Sequence, residues 1–158
     1  MGAPGRDYLL QVQAIAQTAA QDLYEVLPAD DKVTKFIGME LGQTTEFGDA
    51  QEEEYSLAIR RGNSTSGSGG TTPTVRSADK HDASGGFSAE ANNTTKATTA
   101  GATFWNGAWN LRISPAIWWW PDNYGISAEQ GDTTACVELI AAPADSVTVN
   151  QTLYVREW

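Results

Sequence analysis

The stretch DYLLQVQAI, from Asp7 to Ile15, decides the fold because its apolar and polar side chains alternate with a period of two. Such alternation puts successive side chains on opposite faces of a β-strand. One face carries Tyr8, Leu10, Val12 and Ala14. The other face carries Leu9, Gln11 and Gln13. The sequence therefore predicts a first strand that turns its Tyr8 face toward a core.

The same alternation recurs along the rest of the chain, whereas helical periodicity is weak everywhere. Further strands are predicted over residues 22–27, 33–41, 52–61, 103–113, 135–142 and 146–156. In the third strand the predicted core face carries Val33, Ile37, Met39 and Leu41. A chain of 158 residues is long enough to bury one core. We therefore predict a single all-β domain over residues 1–158, folded as an antiparallel β-sandwich or jelly roll.

Residues 62–102 interrupt this pattern with a segment rich in Gly, Ser and Thr. The segment begins GNSTSGSGGTTPT, and from residue 77 onward Phe87 is its single large apolar side chain. Glycine and serine supply flexibility without apolar surface. A stretch of about 40 residues is also too long for an ordinary connection inside a compact domain. We expect a flexible polar excursion that either carries a function or forms an extended arm.

The charge balance and the single cysteine exclude several kinds of site. Acidic residues outnumber basic ones by 20 to 10, and no Lys or Arg cluster stands against the net charge of -10, so we expect no nucleic-acid partner. Cys136 is the single cysteine, which excludes an intrachain disulfide and a Cys-based metal site. No segment approaches the roughly 18 apolar residues of a membrane helix, so no membrane partner is expected. The beginning of the chain also lacks the pattern of a secretion signal.

Groups able to perform catalysis are few. His81 is the single histidine, and it lies in the polar segment as DKHD, where a solvated loop residue is the expected role. Glu52, Glu53 and Glu54 alternate across a strand and do not converge. With Glu46 and Asp49 they form at most a weak calcium pattern, and a solvated strand end is favoured. We expect a protein that is not an enzyme and that binds no cofactor or metal.

The six tryptophans are the chemical signal that remains. Ala116–Asp122 reads AIWWWPD, and a strand there would place Trp118 and Trp120 on one face and Trp119 on the other. Aromatic side chains are enriched in protein interfaces. A contact with a partner chain is therefore favoured over a two-sided core or a carbohydrate platform. The predicted contact residues are Trp118, Trp119, Trp120, Trp105, Trp109 and Phe87.

Several short motifs resemble a family of small tailed-bacteriophage and prophage proteins. They are YLLQ at residues 8–11, GQTTEFGDAQEE at 42–53, IRRG at 59–62, EANNTT at 90–95 and APADS at 142–146. The AIWWWPD stretch lies outside these motifs. The resemblance implies a virion structural component, a β-sandwich or jelly-roll module attached to the capsid or the tail.

From this resemblance we expect a capsid cement or decoration protein that bridges neighbouring major capsid subunits. Such a protein would be made in the host cytoplasm and would end on the capsid exterior. Because closed symmetry suits positions of local threefold symmetry, a homotrimer is the favoured oligomer. A tail or neck component is the alternative within the same class. A carbohydrate-binding module for host adhesion, acting through Trp118–Trp120, is the alternative from another class.

Overall fold

The structure is a computed structural model that describes residues 5–44, 54–99, 102–113, 115–121, 126–128 and 134–158. Within these ranges every regular element is a β-strand. The strands are β1 (Arg6–Gln17), β2 (Gln21–Leu27), β3 (Thr34–Gln43), β4 (Glu54–Arg61), β5 (Asn63–Thr65), β6 (Thr74–Ser77), β7 (Ser88–Asn93), β8 (Thr98–Thr99), β9 (Thr103–Asn110), β10 (Ala116–Trp119), β11 (Ile126–Ala128), β12 (Ala135–Leu139) and β13 (Val147–Glu157). The all-β prediction is confirmed. The described chain also holds no helix able to cross a membrane.

Two antiparallel sheets form a sandwich. Sheet 1 has the order β10-β3-β13-β1-β6, with β11 also paired to β3. Sheet 2 has the order β7-β2-β12-β4-β9, and β5 pairs with β8 as a small separate ribbon. The first strand and the last strand are hydrogen-bonded neighbours, from Arg6 opposite Glu157 to Gln17 opposite Val147. This pairing brings together residues that lie far apart in the sequence.

The alternation seen in the sequence builds the core between the sheets. Sheet 1 contributes Tyr8, Leu10, Met39, Leu153 and Val155. Sheet 2 contributes Tyr24, Val26, Leu57, Ile59 and Val137. These side chains are almost fully removed from water. At about 25 cal/mol per Å² of buried apolar area, this cluster is the main source of stability of the fold.

Two β-bulges change the predicted strand faces. In β1 the register with β13 shifts between Val12 and Ile15. Ala14, predicted for the core face, is therefore exposed, and its φ of 49° belongs to the left-handed region. In β3 the register shifts beside Ile37, so that Phe36 enters the core and Ile37 is only half-buried. A bulge inserts one residue and reverses the faces beyond it, which simple alternation does not reveal.

The segment expected as a flexible excursion, residues 62–102, contains four strands. Its strand β6 pairs with β1 at one edge of sheet 1, over Tyr8–Gln11. Its strand β7 pairs with β2 at one edge of sheet 2. Alternation does not reveal these strands, because SAEANN and TVRS carry almost no apolar pattern. Their backbone hydrogen bonds and several buried polar side chains attach the segment to the sandwich.

Candidate functional site

The outer face of sheet 1, called the open face from here on, carries a row of side chains that crosses the sheet. Strand pairing places Trp119 opposite Gly38, Gly38 opposite Tyr154, Tyr154 opposite Leu9 and Leu9 opposite Arg76. Paired residues of neighbouring strands share a face of the sheet. Trp119 is 57% exposed and Ile117, two residues earlier on the same face, is 51% exposed. Large apolar side chains therefore remain in water on a rigid surface.

Trp119 owes its position to Gly38. A Cβ atom at position 38 would lie 2.3 Å from Trp119 Cε3 and 2.5 Å from Cζ3, so the indole lies directly over the glycine backbone. The ring also contacts Tyr154, with centroids 4.7 Å apart and ring planes tilted by 45°. Aromatic pairs of this kind contribute about 0.5–1.5 kcal/mol beyond their buried area. Trp119 is thus held in place although much of its surface is in water.

Polar groups lie beside the aromatic pair. Glu40, one row along β3, is hydrogen-bonded to the Tyr154 side chain. Partial burial raises the pKa of the Tyr154 hydroxyl, and the hydrogen bond and charge of Glu40 raise it further. Farther along β13, Arg156 forms a two-point ion pair with Asp7, at 2.6 and 3.0 Å. An apolar centre with a polar rim is the usual layout of a protein interface.

The other predicted contact residues lie elsewhere in the sandwich. Trp105, Trp118 and Trp120 pack edge to face, with the Trp105 centroid 5.6 Å from Trp118 and 5.4 Å from Trp120. Trp120 is buried and the other two are half-buried against the core. The predicted split of the triplet is thus observed, since Trp119 stands alone on the opposite face.

The two remaining predicted contact residues are part of the core of this chain. Trp109 is 4% exposed and packs edge to face on Tyr55 at 5.6 Å. Phe87 packs edge to face on Tyr8 at 5.5 Å. Within a single subunit the burial of Trp109, Trp120 and Phe87 is complete without a second chain. Among the six residues, Trp119 is the one whose side chain is mostly in water.

The outer face of sheet 2, called the closed face from here on, is covered over β2 and β12 by residues 63–71 and 94–99, which we call the strap. Ser68 and Thr95 bridge the two arms of the strap through reciprocal backbone hydrogen bonds of 2.9 and 3.0 Å. Asn63 donates to Thr134 Oγ1 at 3.0 Å and to the Cys136 sulfur at 3.4 Å. A polar segment is thereby attached to the sheet through hydrogen bonds in place of apolar contacts.

Three buried carboxylates hold the strap. Asp22 accepts the backbone N–H of Ala97 at 2.6 Å. Glu25 Oε2 accepts the N–H of Gly67 at 2.9 Å and the Asn93 amide at 2.6 Å.

The third carboxylate belongs to Glu138, and it forms ion pairs on both sides. Arg60 Nε lies 2.8 Å from Glu138 Oε2, and Lys96 Nζ contacts Oε1. Both cations are partly in water, whereas the carboxylate is buried. Glu138 therefore ties the strap, through Lys96, to β12 and β4.

The buried surroundings of Asp22 change its acid-base behaviour. Burial raises the pKa of Asp22 to about 6. The hydrogen bond from Ala97 opposes the rise, and the charges of Glu25 and Glu138 add to it. The same surroundings raise the pKa of the Cys136 thiol to about 12, chiefly through burial. Cys136 is a buried thiol, as predicted, and is kept protonated at neutral pH.

Sequence reasoning also missed a buried cluster of amides. Asn92 Oδ1 accepts hydrogen bonds from the side chains of Gln17 at 2.7 Å, Gln151 at 2.9 Å and Gln21 at 3.2 Å. All four side chains are buried. Because Gln17 and Gln151 belong to sheet 1 and Gln21 and Asn92 to sheet 2, the cluster joins the sheets. Four amides spread over the sequence give no local signal for such a contact.

The side chains considered as catalytic or metal-binding groups do not converge in the described part of the chain. No set of three or more His, Cys, Asp or Glu side chains there is arranged to hold a metal ion. His81 lies in an exposed turn, where its backbone N–H donates a hydrogen bond to Asp79 Oδ1 at 2.9 Å. Of the weak calcium pattern, Glu54 is exposed at the start of β4, and Glu46, Asp49, Glu52 and Glu53 lie outside the described residues.

Comparison of the chain with protein-family models, with curated proteins and with solved structures gives no match. The fold and the two contrasting outer faces are therefore the observations on which a function has to be argued.

Proposed function

We propose that this protein is a non-enzymatic structural component of a tailed-phage virion, a capsid cement or decoration protein that bridges neighbouring major capsid subunits. The observation that carries the proposal is Trp119 on the open face, held by Gly38 and Tyr154 yet 57% exposed. The resemblance of the short motifs to small phage and prophage proteins supplies the biological setting.

The open face has the properties that a partner surface requires. It lies on paired strands of sheet 1, so its side chains need little ordering when a partner binds, and this lowers the entropic cost of association. Trp and Tyr are the residues that most often dominate binding energies. The strap occupies the closed face over β2 and β12, whereas on sheet 1 the indole of Trp119 is uncovered.

Charge supports a protein partner on the outside of the shell. The net charge of -10 disfavours contact with packaged DNA. Copies on the capsid exterior would meet the major capsid protein and each other, and a homotrimer would place three open faces around a symmetry axis. Binding to the folded state would also stabilise the chain by mass action.

Cryo-electron microscopy of particles from a phage or prophage that encodes this chain tests the proposal. We expect density for the sandwich on the outer shell, in copy numbers that follow the capsid lattice, with Trp119 at the contact. Absence of the chain from the shell would overturn the cement role. Density in a few copies at the tail vertex would identify the tail or neck component instead.

The carbohydrate-binding alternative has one observation in its favour. Trp119 lies over the Gly38 backbone and is 57% exposed, and Glu40 lies one row away as a hydrogen-bond acceptor. Such a pairing of an indole with a carboxylate suits a pyranose ring. A glycan array followed by tryptophan-fluorescence titration tests it. Saturable quenching that is lost in Trp119→Ala would support it, and no response to any glycan would exclude it.

A further inference from the structure

Strand β9 (Thr103–Asn110) forms an edge of sheet 2, since β4 is its one partner among the described strands. It has eight residues, and none of them is charged or proline. Its register with β4 is regular over Trp105–Asn110, and Asn106 and Ala108 on the outer side are exposed. The free side of an edge strand carries unpaired backbone N–H and C=O groups, which are a template for another strand. The β9 edge is therefore open to pairing.

The other edge strands of the described chain carry the devices by which proteins avoid such pairing. Strands β6 and β10 have four residues each. In addition, β6 carries Arg76, and β10 lies between Pro115 and Pro121. The edge of β7 is occupied at Ala91, which exchanges two backbone hydrogen bonds of 2.8 Å with Thr71. Among the described edges, β9 is thus the one that is long, uncharged and uncovered.

The sequence of β9 matches a second copy of itself in the antiparallel direction. With a two-fold axis through Gly107, Asn106 of one copy lies opposite Ala108 of the other, on the outer side of the sheet. Trp105 of one copy then lies opposite Trp109 of the other, on the core side. The centre is free of bulk because the Trp105 ring already covers the core side of Gly107, where a Cβ would lie 2.2 Å from Cη2. The register therefore keeps the core sides and the outer sides of the two copies aligned.

Antiparallel pairing also brings opposite charges together at the ends of the strand. Strand β4, the neighbour of β9, begins with Glu54 and ends with Arg60 and Arg61. The Arg61 guanidinium reaches β9, since its Cζ atom lies 4.1 Å from the centroid of the Phe104 ring. Reversal of direction in the second copy places the acidic end of each β4 toward the basic end of the other. Complementary charges of this kind select a partner and a register.

We propose that β9 is a self-association edge, which pairs in the antiparallel direction with β9 of a second copy of this chain around a two-fold axis through Gly107. The two copies of sheet 2 would join into one continuous sheet. The net charge of -10 makes two copies repel one another, so a contact between them requires an edge without acidic side chains. Because a single pair of strands buries little area, we expect a dissociation constant of about 10–100 µM.

This contact goes beyond the capsid role and does not depend on it. It uses an edge of sheet 2, whereas Trp119 lies on the outer face of sheet 1. The homotrimer proposed above concerns the open faces, so both contacts can be present in one assembly. A particle that lacked this chain would leave the pairing of β9 untouched, and a chain that did not pair would leave the role of the open face untouched.

The test is sedimentation equilibrium of the full chain between about 1 µM and 1 mM. We expect the mass to double with rising concentration, from the monomer or from the proposed trimer. Two double variants test the register: one carries Asn106→Glu with Ala108→Glu, and the other carries Asn106→Lys with Ala108→Lys. Each variant paired with itself places like charges opposite one another, so we expect at least about tenfold weaker association in both.

An equimolar mixture of the two variants separates this contact from a general effect of charge or from misfolding. In the mixture, Glu of one variant lies opposite Lys of the other, and association should return to within about threefold of the natural chain. The matched control carries Thr72→Glu with Thr74→Glu, which adds the same charge as the first variant at exposed positions along the edge of sheet 1. It should associate within about twofold of the natural chain.

Three outcomes would overturn the proposal: a constant mass over the whole range, equal weakening in the control, or a mixture that associates no better than either variant alone. Hydrogen exchange of the β9 amides on virions distinguishes a different occupant. Protection of these amides on the particle, together with a constant mass in solution, would assign the edge to a strand of another shell protein.

Discussion

On the open face, Trp119 and Tyr154 meet solvent, whereas on the closed face Asp22, Glu25 and Glu138 are buried beneath the strap. On the open face, aromatic side chains therefore meet water, and on the closed face charged side chains are removed from it. Apolar surface left in water favours association. Buried carboxylates, in contrast, persist only where hydrogen bonds and cations compensate them. One face is thus covered by a segment of the same chain, while the other presents an exposed aromatic side chain.

The largest expected effect comes from removing a carboxylate acceptor that holds the strap. Glu25→Ala would leave Gly67 N–H and the Asn93 amide without their acceptor on the closed face. We expect the free energy of unfolding to fall by about 2–4 kcal/mol. Urea unfolding followed by circular dichroism measures it. Glu54→Ala, at an exposed position of β4, should change stability by less than about 0.5 kcal/mol, and equal losses in the two variants would contradict a carboxylate-held strap.

A second prediction concerns pH. In the folded chain the pKa of Asp22 is raised from 3.8 to about 6, so the folded state binds this proton more tightly than the unfolded state does. The contribution of Asp22 to stability is therefore most favourable below about pH 4, and it declines as pH rises through about 6. Asp22→Asn keeps an acceptor for Ala97 and removes the titration.

The measurement is urea unfolding of both proteins between pH 4 and pH 8. We expect the stability of Asp22→Asn relative to the natural chain to increase by about 2 kcal/mol over this range. Titrating groups that do not interact with Asp22 affect both proteins equally and cancel in the difference. Parallel stability profiles would show that Asp22 is not perturbed by its buried neighbours.

These buried groups also mark the limit of what alternation predicts. Tyr8, Leu10, Leu57 and Ile59 take the core positions that their spacing implies, because a period of two is sufficient when a single face is buried. The closed face breaks that rule, since Asp22 and Glu138 share buried strands with apolar neighbours. In the sequence, an acidic residue within an otherwise apolar strand is the feature that indicates a polar segment covering that strand.

The same limit of alternation applies to the contacts of the tryptophans. Alternation separates Trp119 from Trp118 and Trp120, because neighbouring residues of a strand project oppositely. It does not reveal that Trp105 from another strand packs on both of them, since that contact depends on sheet order. The bulges at Ala14 and Ile37 also have no signature in side-chain polarity.

A third prediction concerns the exposed indole of the open face. Trp119→Ala removes the exposed indole and its contact with Tyr154. We expect a stability loss of about 1 kcal/mol, and loss of attachment to the phage shell. Binding of the purified chain to particles that lack it, measured by co-sedimentation, provides the readout. Ile113→Ala, at an exposed apolar residue outside the strands, serves as control and should attach normally.

The smallest expected effect on stability comes from Gly38. Gly38→Ala introduces a Cβ within 2.3 Å of the indole of Trp119, which must swing off the sheet into solvent. We expect less than about 1 kcal/mol of destabilisation, because alanine also restricts the unfolded chain. The tryptophan emission should shift to longer wavelength. Gly42→Ala is the matched control on the same strand, since a Cβ there meets no atom within 4 Å. An unchanged spectrum in Gly38→Ala would show that Trp119 does not rest on the glycine.

The contrast between the faces is tested most directly by hydroxyl-radical footprinting of tryptophan, on the free protein and on intact particles. In the free protein we predict that Trp119 is oxidised fastest, while the buried Trp109 and Trp120 react slowly. On the particle we predict that Trp119 becomes protected and that the two buried rings keep their low rates. Oxidation of Trp119 at the same rate on the particle as in solution would contradict the assignment of the open face as the contact surface.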